Sequence, residues 1–280
     1  MQMVSTIKEV KDLVKQWKSE DQTIGFVPTM GYLHEGHGSL ISAARQDNSK
    51  VVVSIFVNPK QFGPTEDYDS YPHDLERDRS ICENLGADLI FHPTPEEMYP
   101  NDFYTHVDMP ILTEELCGLN RPGHFRGVCT VVNKLFNIVQ PDHAYFGQKD
   151  AQQLAVIKQM VKDLSMNVEV IGCPIVREED GLAKSSRNNY LSAEERKAAR
   201  IVSKTIFMGE NIVKEGETDA QKLIAAMKAT IETEPMAKIE YVKAVDGLSM
   251  RQVSIIKPQT LVAIAVYIGK TRLIDNFIVE

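Results

Sequence analysis

The sequence predicts an α/β protein, a parallel sheet with helices on both faces followed by a smaller α+β domain. Three observations lead there. Strand and helix patterns alternate through the first two thirds of the 280 residues. One strand pattern, "KVVVSIFVN" at 50–58, is β-branched and apolar on both faces, as a parallel strand buried between two helical layers must be. After about residue 176 the order changes to helices and then strands. The expected domains are therefore 1–176 and 177–280.

Taken in order, "MQMVSTIKEVKDLVKQWKSE" at 1–20 sets Ile7, Val10, Leu13, Val14 and Trp17 on one helical face. It lacks the continuous apolar stretch of a secretory signal. "TIGFVPT" at 23–29 is a short apolar strand, and "SLISAARQ" at 39–46 has helical spacing. "HDLERDRSICENLG" at 73–86 is a helix closed by Gly86, and "ADLIFHP" at 87–93 is the next strand. "GVCTVVNKLFNIVQ" at 127–140 is long enough for a helix despite its valines. "HAYFG" at 143–147, "DAQQLAVIKQMVKDL" at 150–164 and "NVEVIGCP" at 167–174 read as strand, helix and strand. Beyond them, 192–216 and 219–234 read as two helices, and 239–246, 260–268 and 272–280 as three strands. In open parallel sheets, ligands sit outside the carboxyl ends of the strands, at the topological switch point. Those ends are 28–36, 58–63 and 147–150, and the polar, glycine-containing motifs gather there.

Composition narrows the partners. Apolar residues make up 43% and charged residues 25% of the chain, the balance of a soluble globular protein. A net charge of -8 with no long Lys/Arg run argues against nucleic acid. The longest apolar runs, such as "LVAIAVYI" at 261–268, are far too short to span a bilayer, so no membrane partner is expected. Cys82, Cys117, Cys129 and Cys173 form no CxxC pair and read as reduced thiols of a cytoplasmic protein.

The stretch "PTMGYLHEGHGSL" at 28–40 carries the chemistry. A zinc-protease helix needs His-Glu-x-x-His, and here the second histidine comes one residue early. His73, His92, His106, His124 and His143 stand apart in sequence. Between a strand and a helix, however, His37 falls near a helix N-terminus, where unpaired N–H groups and the helix dipole favour an anion. Gly31, Gly36 and Gly38 allow close backbone approach, and imidazoles donate to phosphate oxygens. A second stretch, "GLAKSSRNNYLS" at 181–192, sets Lys184 and Arg187 around Ser185 and Ser186, a pattern suited to polyphosphate. Alone it would read as a solvated loop. A third, "FGQKD" at 146–150, ends a strand and opens a helix: Asp150 suits an N-cap, and Lys149 stands where a phosphate needs a cation. Asn58, Gln61 and Gln153 add neutral donors and acceptors near the same edge.

Together these blocks resemble a known family. HxGH followed much later by KSSR is similar to the paired signatures of class I aminoacyl-tRNA synthetases and related nucleotidylyltransferases. "PTMGYLHEGH", "VNPKQFGP", "RPGHFRGV", "YFGQKDAQQ" and "LAKSSRNNYLS", in that order from 27 to 192, more closely resemble the pantothenate synthetase (pantoate–β-alanine ligase) family. Gly38 and Lys184 depart from the larger apolar residues common there. The resemblance implies a Rossmann-like nucleotide-binding domain with a C-terminal lid, and typically a homodimer. It implies that ATP, with Mg²⁺, activates pantoate as pantoyl adenylate, which β-alanine then attacks to release AMP. It places Met30, Gly31, Tyr32, Leu33, His34, Glu35, Gly36 and His37 around ATP. Gly147, Gln148, Lys149, Asp150, Val176, Lys184, Ser185, Ser186 and Arg187 complete the ATP site, with His34, His37 and Lys149 catalytic. Gln61, Gln153 and Asn58 are expected on the substrates, with Arg121 and His124 on the second substrate's carboxylate. No protein ligand for the metal is named. Two rivals remain at this stage. One is an HxGH enzyme acting on a phosphate ester, which would need an extra basic pocket. The other is a histidine-based metal-binding protein without activity.

Overall fold

The computed structural model describes residues 1–64 and 66–280, in two compact units. The first comprises Met1–Pro110, Arg121–Gln148 and Val156–Pro174; the second comprises Ile111–Asn120, Lys149–Ala155 and Ile175–Glu280. Among the described residues no helix is long and apolar enough to cross a membrane.

The expected α/β architecture is what the first unit shows. Its sheet consists of β1 (Gln2–Val4), β2 (Ile24–Thr29), β3 (Lys50–Ile55), β4 (Leu89–Phe91), β5 (His143–Gly147) and β6 (Glu169–Cys173). The order is β1-β4-β3-β2-β5-β6 and every pairing is parallel. Successive strands step outward from β2 to β3 to β4. The chain then returns to the other side of β2 for β5 and β6, so the switch point lies at β2 and β5. Val51, Val52 and Val53 of β3 are all 0% exposed, as its unbroken apolar run requires. Strand β1 has three residues, too few for a periodicity to register.

Helices α1 (Ile7–Ser19), α2 (Glu35–Asp47), α3 (Leu75–Asn84), α4 (Pro95–Met98) and α5 (Leu116–Asn120) precede the sixteen-residue α6 (His124–Val139). Helix α1 is opened by a Thr6–Glu9 capping box and buries Val10, Val14 and Trp17, three of the five residues on its expected apolar face. Helix α2 starts at Glu35, four residues before the apolar spacing begins, so both motif histidines fall at its mouth. A 3-10 turn, Gln148–Asp150, joins β5 to α7 (Ala151–Asp163).

The second unit carries α8 (Ala193–Ala198), α9 (Arg200–Lys214) and α10 (Ala220–Ile231), then β7 (Ala237–Asp246), β8 (Thr260–Ile268) and β9 (Thr271–Ile278). These strands form an antiparallel sheet in the order β7-β8-β9. Its core gathers Leu223, Met227 and Ile231 of α10 against Val262, Ile264 and Val266 of β8. The single helix expected over 192–216 is interrupted at Ala199. That residue keeps helical dihedrals (φ -58°, ψ -22°), so the break is a local loosening that no proline or glycine announces.

Candidate active site

The loop between β2 and α2 is shaped by two consecutive left-handed residues, Gly31 (φ +87°) and Tyr32 (φ +52°). A non-glycine residue in that region costs about 1–2 kcal/mol, so something must hold it. Asp78 of α3 does. It is 1% exposed, and its carboxylate accepts the Tyr32 N–H at 2.7 Å and the Leu33 N–H at 2.6 Å. Burial pushes the Asp78 carboxyl above its ordinary range, against the pull of those two N–H donors. Gly31 donates its N–H to Thr29 Oγ1 at 3.2 Å, and a side chain in its place would meet Ile55 and Asp78 at 3.0 and 3.1 Å.

Beyond the loop, His34 caps α2 and His37 is its third residue. His34 Nδ1 accepts the Gly36 N–H at 3.1 Å, and His37 Nδ1 accepts the His34 N–H at 3.3 Å. A backbone N–H can only donate, so each neutral ring must carry its proton on Nε2. The rings lie 4.1 Å apart between centroids. The mouth of α2, at the carboxyl end of β2, thus holds two imidazoles whose Nε2–H groups are hydrogen-bond donors, beside the positive end of a thirteen-residue helix.

At the end of β3 the chain makes a 3-10 turn, Pro59–Gln61, capped by Asn58. The Gln61 side-chain amide donates to the Met30 thioether at 3.0 Å. Its backbone carbonyl accepts from His124 Nδ1 at 2.8 Å, and His124 Nε2 in turn accepts from Arg121 at 2.9 Å. Arg121 grips Glu66 through two contacts of 2.6 and 2.8 Å. Burial works to raise the Glu66 carboxyl, but the hydrogen-bonded guanidinium overrides it and holds the group at about 2. The expected substrate group Asn58, Gln61, Arg121 and His124 is therefore brought together, although Arg121 and His124 are engaged in holding the Gln61 turn. Gly127 of α6 makes this possible, because a Cβ there would run into the Lys60 carbonyl and stand 2.6 Å from Gln61 Cα. Gly127→Ala is expected to lose about 1–3 kcal/mol of stability through overpacking. An unchanged urea midpoint would show that the turn yields freely.

The second unit places its own set. Lys149 Nζ lies 3.8 Å from the Asp150 carboxylate, and the Lys149 carbonyl accepts from Asn276 at 2.9 Å. Gln153 lies two residues into α7, beside Gln152, whose buried amide bonds to the carbonyls of Leu112 and Glu115 at 2.9 and 2.8 Å. Lys184 N donates to the Val176 carbonyl at 2.9 Å, so two residues expected at one nucleotide site are neighbours across a narrow hairpin. Ser185 caps the 3-10 turn Ser186–Tyr190 by accepting the Arg187 N–H at 3.3 Å. Among the described residues no group of three or more His, Cys, Asp or Glu is arranged to hold a metal ion.

Three residues outside the expected set matter to this geometry: Asp78, Glu66 and Tyr99, whose hydroxyl donates to Asn58 Oδ1 at 2.8 Å. Each acts through contacts 41 to 55 residues distant in sequence, and no local motif marks such partners.

Known proteins supply the comparison. A family model described as pantoate-beta-alanine ligase matches residues 2–278. A pantothenate synthetase of Ruminiclostridium cellulolyticum is 64% identical over 277 residues, 99% of this chain and 98% of its own. One from Clostridium botulinum is 58% identical over 277 residues, 99% of each. The crystal structure of pantothenate synthetase from Thermus thermophilus matches with a TM-score of 0.94 at 45% identity, covering 99% of both chains. A pantoate-beta-alanine ligase from Francisella tularensis, complexed with beta-gamma ATP and beta-alanine, matches with a TM-score of 0.82 at 36% identity, covering 99% of this chain and 97% of the other.

Proposed function

This chain belongs to the pantoate–β-alanine ligase family, and from that premise we propose how its residues divide the reaction between them. The family condenses pantoate with β-alanine to give pantothenate, and in the reading proposed ATP is converted to AMP and pyrophosphate through pantoyl adenylate. A carboxylate is a poor electrophile, so it must first become one. A pantoate carboxylate oxygen attacks the α-phosphorus, the bond to the bridging oxygen breaks, and pyrophosphate leaves. The β-alanine amine then attacks the acyl carbon, loses a proton, and AMP departs. No covalent enzyme nucleophile enters, and the protein's part is positioning and charge stabilisation.

The observation that carries the reading is the pair of Nε2–H imidazoles at the mouth of α2. His34 and His37 donate to the phosphate oxygens as negative charge moves onto the leaving group. Met30 to His37 lie along ATP, with the Gly31–Tyr32 bend bringing backbone toward it. Lys149, Lys184 and Arg187 supply cations to the phosphates, and Ser185 and Ser186 supply hydroxyls. Asp150 takes the ribose, and Gly147, Gln148 and Val176 border the nucleotide. Gln61 and Gln153 hold pantoate through its hydroxyl and carboxylate oxygens, and Arg121 and His124 keep the Gln61 turn in place. Mg²⁺ would supply further neutralisation of phosphate charge, held by ATP and water more than by protein side chains. A cytoplasmic homodimer completes the reading. The four cysteines, all free thiols, suit a reducing compartment.

The test follows the atoms. Labelled pyrophosphate should exchange into ATP when pantoate and Mg²⁺ are present and β-alanine is absent, and should not when pantoate is omitted. Oxygen-18 in the pantoate carboxylate should finish in AMP. Label in orthophosphate, with ADP as co-product, would mean attack on the γ-phosphorus and would overturn the mechanism.

A further inference from the structure

Asn58 is expected from its place at a strand end to touch substrate, yet it is 1% exposed and every hydrogen-bonding position of its amide is taken. Its Oδ1 accepts the Tyr99 hydroxyl at 2.8 Å and the Lys60 N–H at 3.3 Å. Its Nδ2 donates to Gln61 Oε1 at 3.0 Å and to the Gly127 carbonyl at 3.1 Å. A side-chain amide has two acceptor sites and two donors, so nothing is left for a ligand.

The orientation of this amide is not arbitrary. The Lys60 N–H can only donate and the Gly127 carbonyl can only accept, so oxygen and nitrogen of Asn58 cannot be exchanged. One Nδ2–H must therefore point at Gln61. That donor demands an acceptor, which turns Gln61 Oε1 inward and its NH₂ outward. The outward NH₂ meets the Met30 sulfur, a weak acceptor that a hydroxyl or carboxylate oxygen readily displaces. Burial raises the Tyr99 phenol well above its ordinary range, so it stays an O–H donor at any working pH.

We infer that Asn58, held by Tyr99, is a positioning residue: it sets the Gln61 amide so that Gln61 meets pantoate as a donor to an oxygen, and does not itself bind substrate. This rests on the reading of Gln61 as a pantoate contact. In water-exposed glutamine the amide flips at little cost. Here a flip would set the Gln61 NH₂ against the NH₂ of the buried Asn58, leaving two donors face to face.

A double-mutant cycle on pantoate KM tests this, with ATP KM and kcat measured alongside. Tyr99→Phe removes one hydroxyl and keeps the ring, and it should raise pantoate KM about two- to tenfold with ATP KM unchanged. Asn58→Ala should raise pantoate KM about as much as Gln61→Ala does. In the Gln61→Ala background neither Tyr99→Phe nor Asn58→Ala should add to the effect, because the group they position is gone. Additive effects in that background would overturn the inference and make Asn58 either a substrate contact or a general support. If Asn58→Ala does not fold, the Tyr99→Phe arm decides alone. Gln61→Ala with unchanged pantoate KM would overturn the reading of the pantoate site and this inference with it. A Gln61→Ala effect that Tyr99→Phe alone fails to reproduce in part would overturn this inference and leave that reading standing.

Discussion

His37→Ala should fold as the parent protein does and form pantoyl adenylate about 10²–10³ more slowly. The imidazole donates from Nε2 because Nδ1 is occupied by the His34 N–H, and it does so where the helix dipole already favours negative charge. Water can replace its capping contact at a half-buried helix end, but it cannot supply a donor fixed in advance of the reaction. Rapid-quench measurement of adenylate in a single turnover, at saturating ATP and pantoate, separates this step from later amide formation. A rate within threefold of the parent's, with the thermal midpoint unchanged, would remove His37 from the chemical step.

The largest effect on stability is expected in the second unit. Asp275 has a fully buried side chain and is paired with Arg177 through contacts of 2.7 and 3.1 Å. Arg177 also donates to the Gly181 carbonyl at 3.0 Å and stacks on the Phe207 ring at 4.9 Å. Arg177→Met keeps much of the packing on Phe207 but leaves a carboxylate buried without its cation, a loss of about 3–5 kcal/mol. Replacing both partners, as Arg177→Met with Asp275→Leu, should recover most of that, because the cost lies in the orphaned charge more than in the missing pair. Hydrogen exchange at the β8 and β9 amides reads this unit directly, whatever the other unit does. Protection in Arg177→Met equal to the parent's would mean that water reaches Asp275.

The elements legible in the sequence are those whose signal is local. The apolar run of β3, the spacing in α1 and the glycine that closes α3 each lie within one window of chain. So do the residues set at strand ends, which is why 28–36, 58–63 and 147–150 stand out in the chain itself. Strand β1 escapes because three residues carry no period and its partner, β4, lies far along the chain. At the site the residues with chemical side chains stand out, but their supports do not. Asp78 sits in an acidic and basic helix where it looks like any solvated charge, and only the fold brings the Tyr32 and Leu33 N–H groups to it. Asn58 is the converse case. A polar residue at a strand end invites a binding role, and only a count of its hydrogen bonds shows an amide already fully engaged.

Two segments, Ile111–Asn120 and Lys149–Ala155, belong to the second unit although their flanking residues belong to the first. During synthesis this sets an order of events. All six strands of the parallel sheet have been made once residue 173 is out. The Asn276 amide that holds the Lys149 carbonyl comes 127 residues after it, and the Lys243 that pairs with Glu115 comes 128 residues later. At about 5–20 residues per second, that is a delay of roughly 6–25 s on the ribosome. Gln152 spans the interval, since it ties Leu112, Glu115 and Gly118 to the start of α7 and needs nothing made after it. The two segments can therefore wait as a bound pair. A chain halted just after residue 174 has cleared the ribosome would hold a complete parallel sheet while Lys149 has yet to meet the last strand, which carries Asn276.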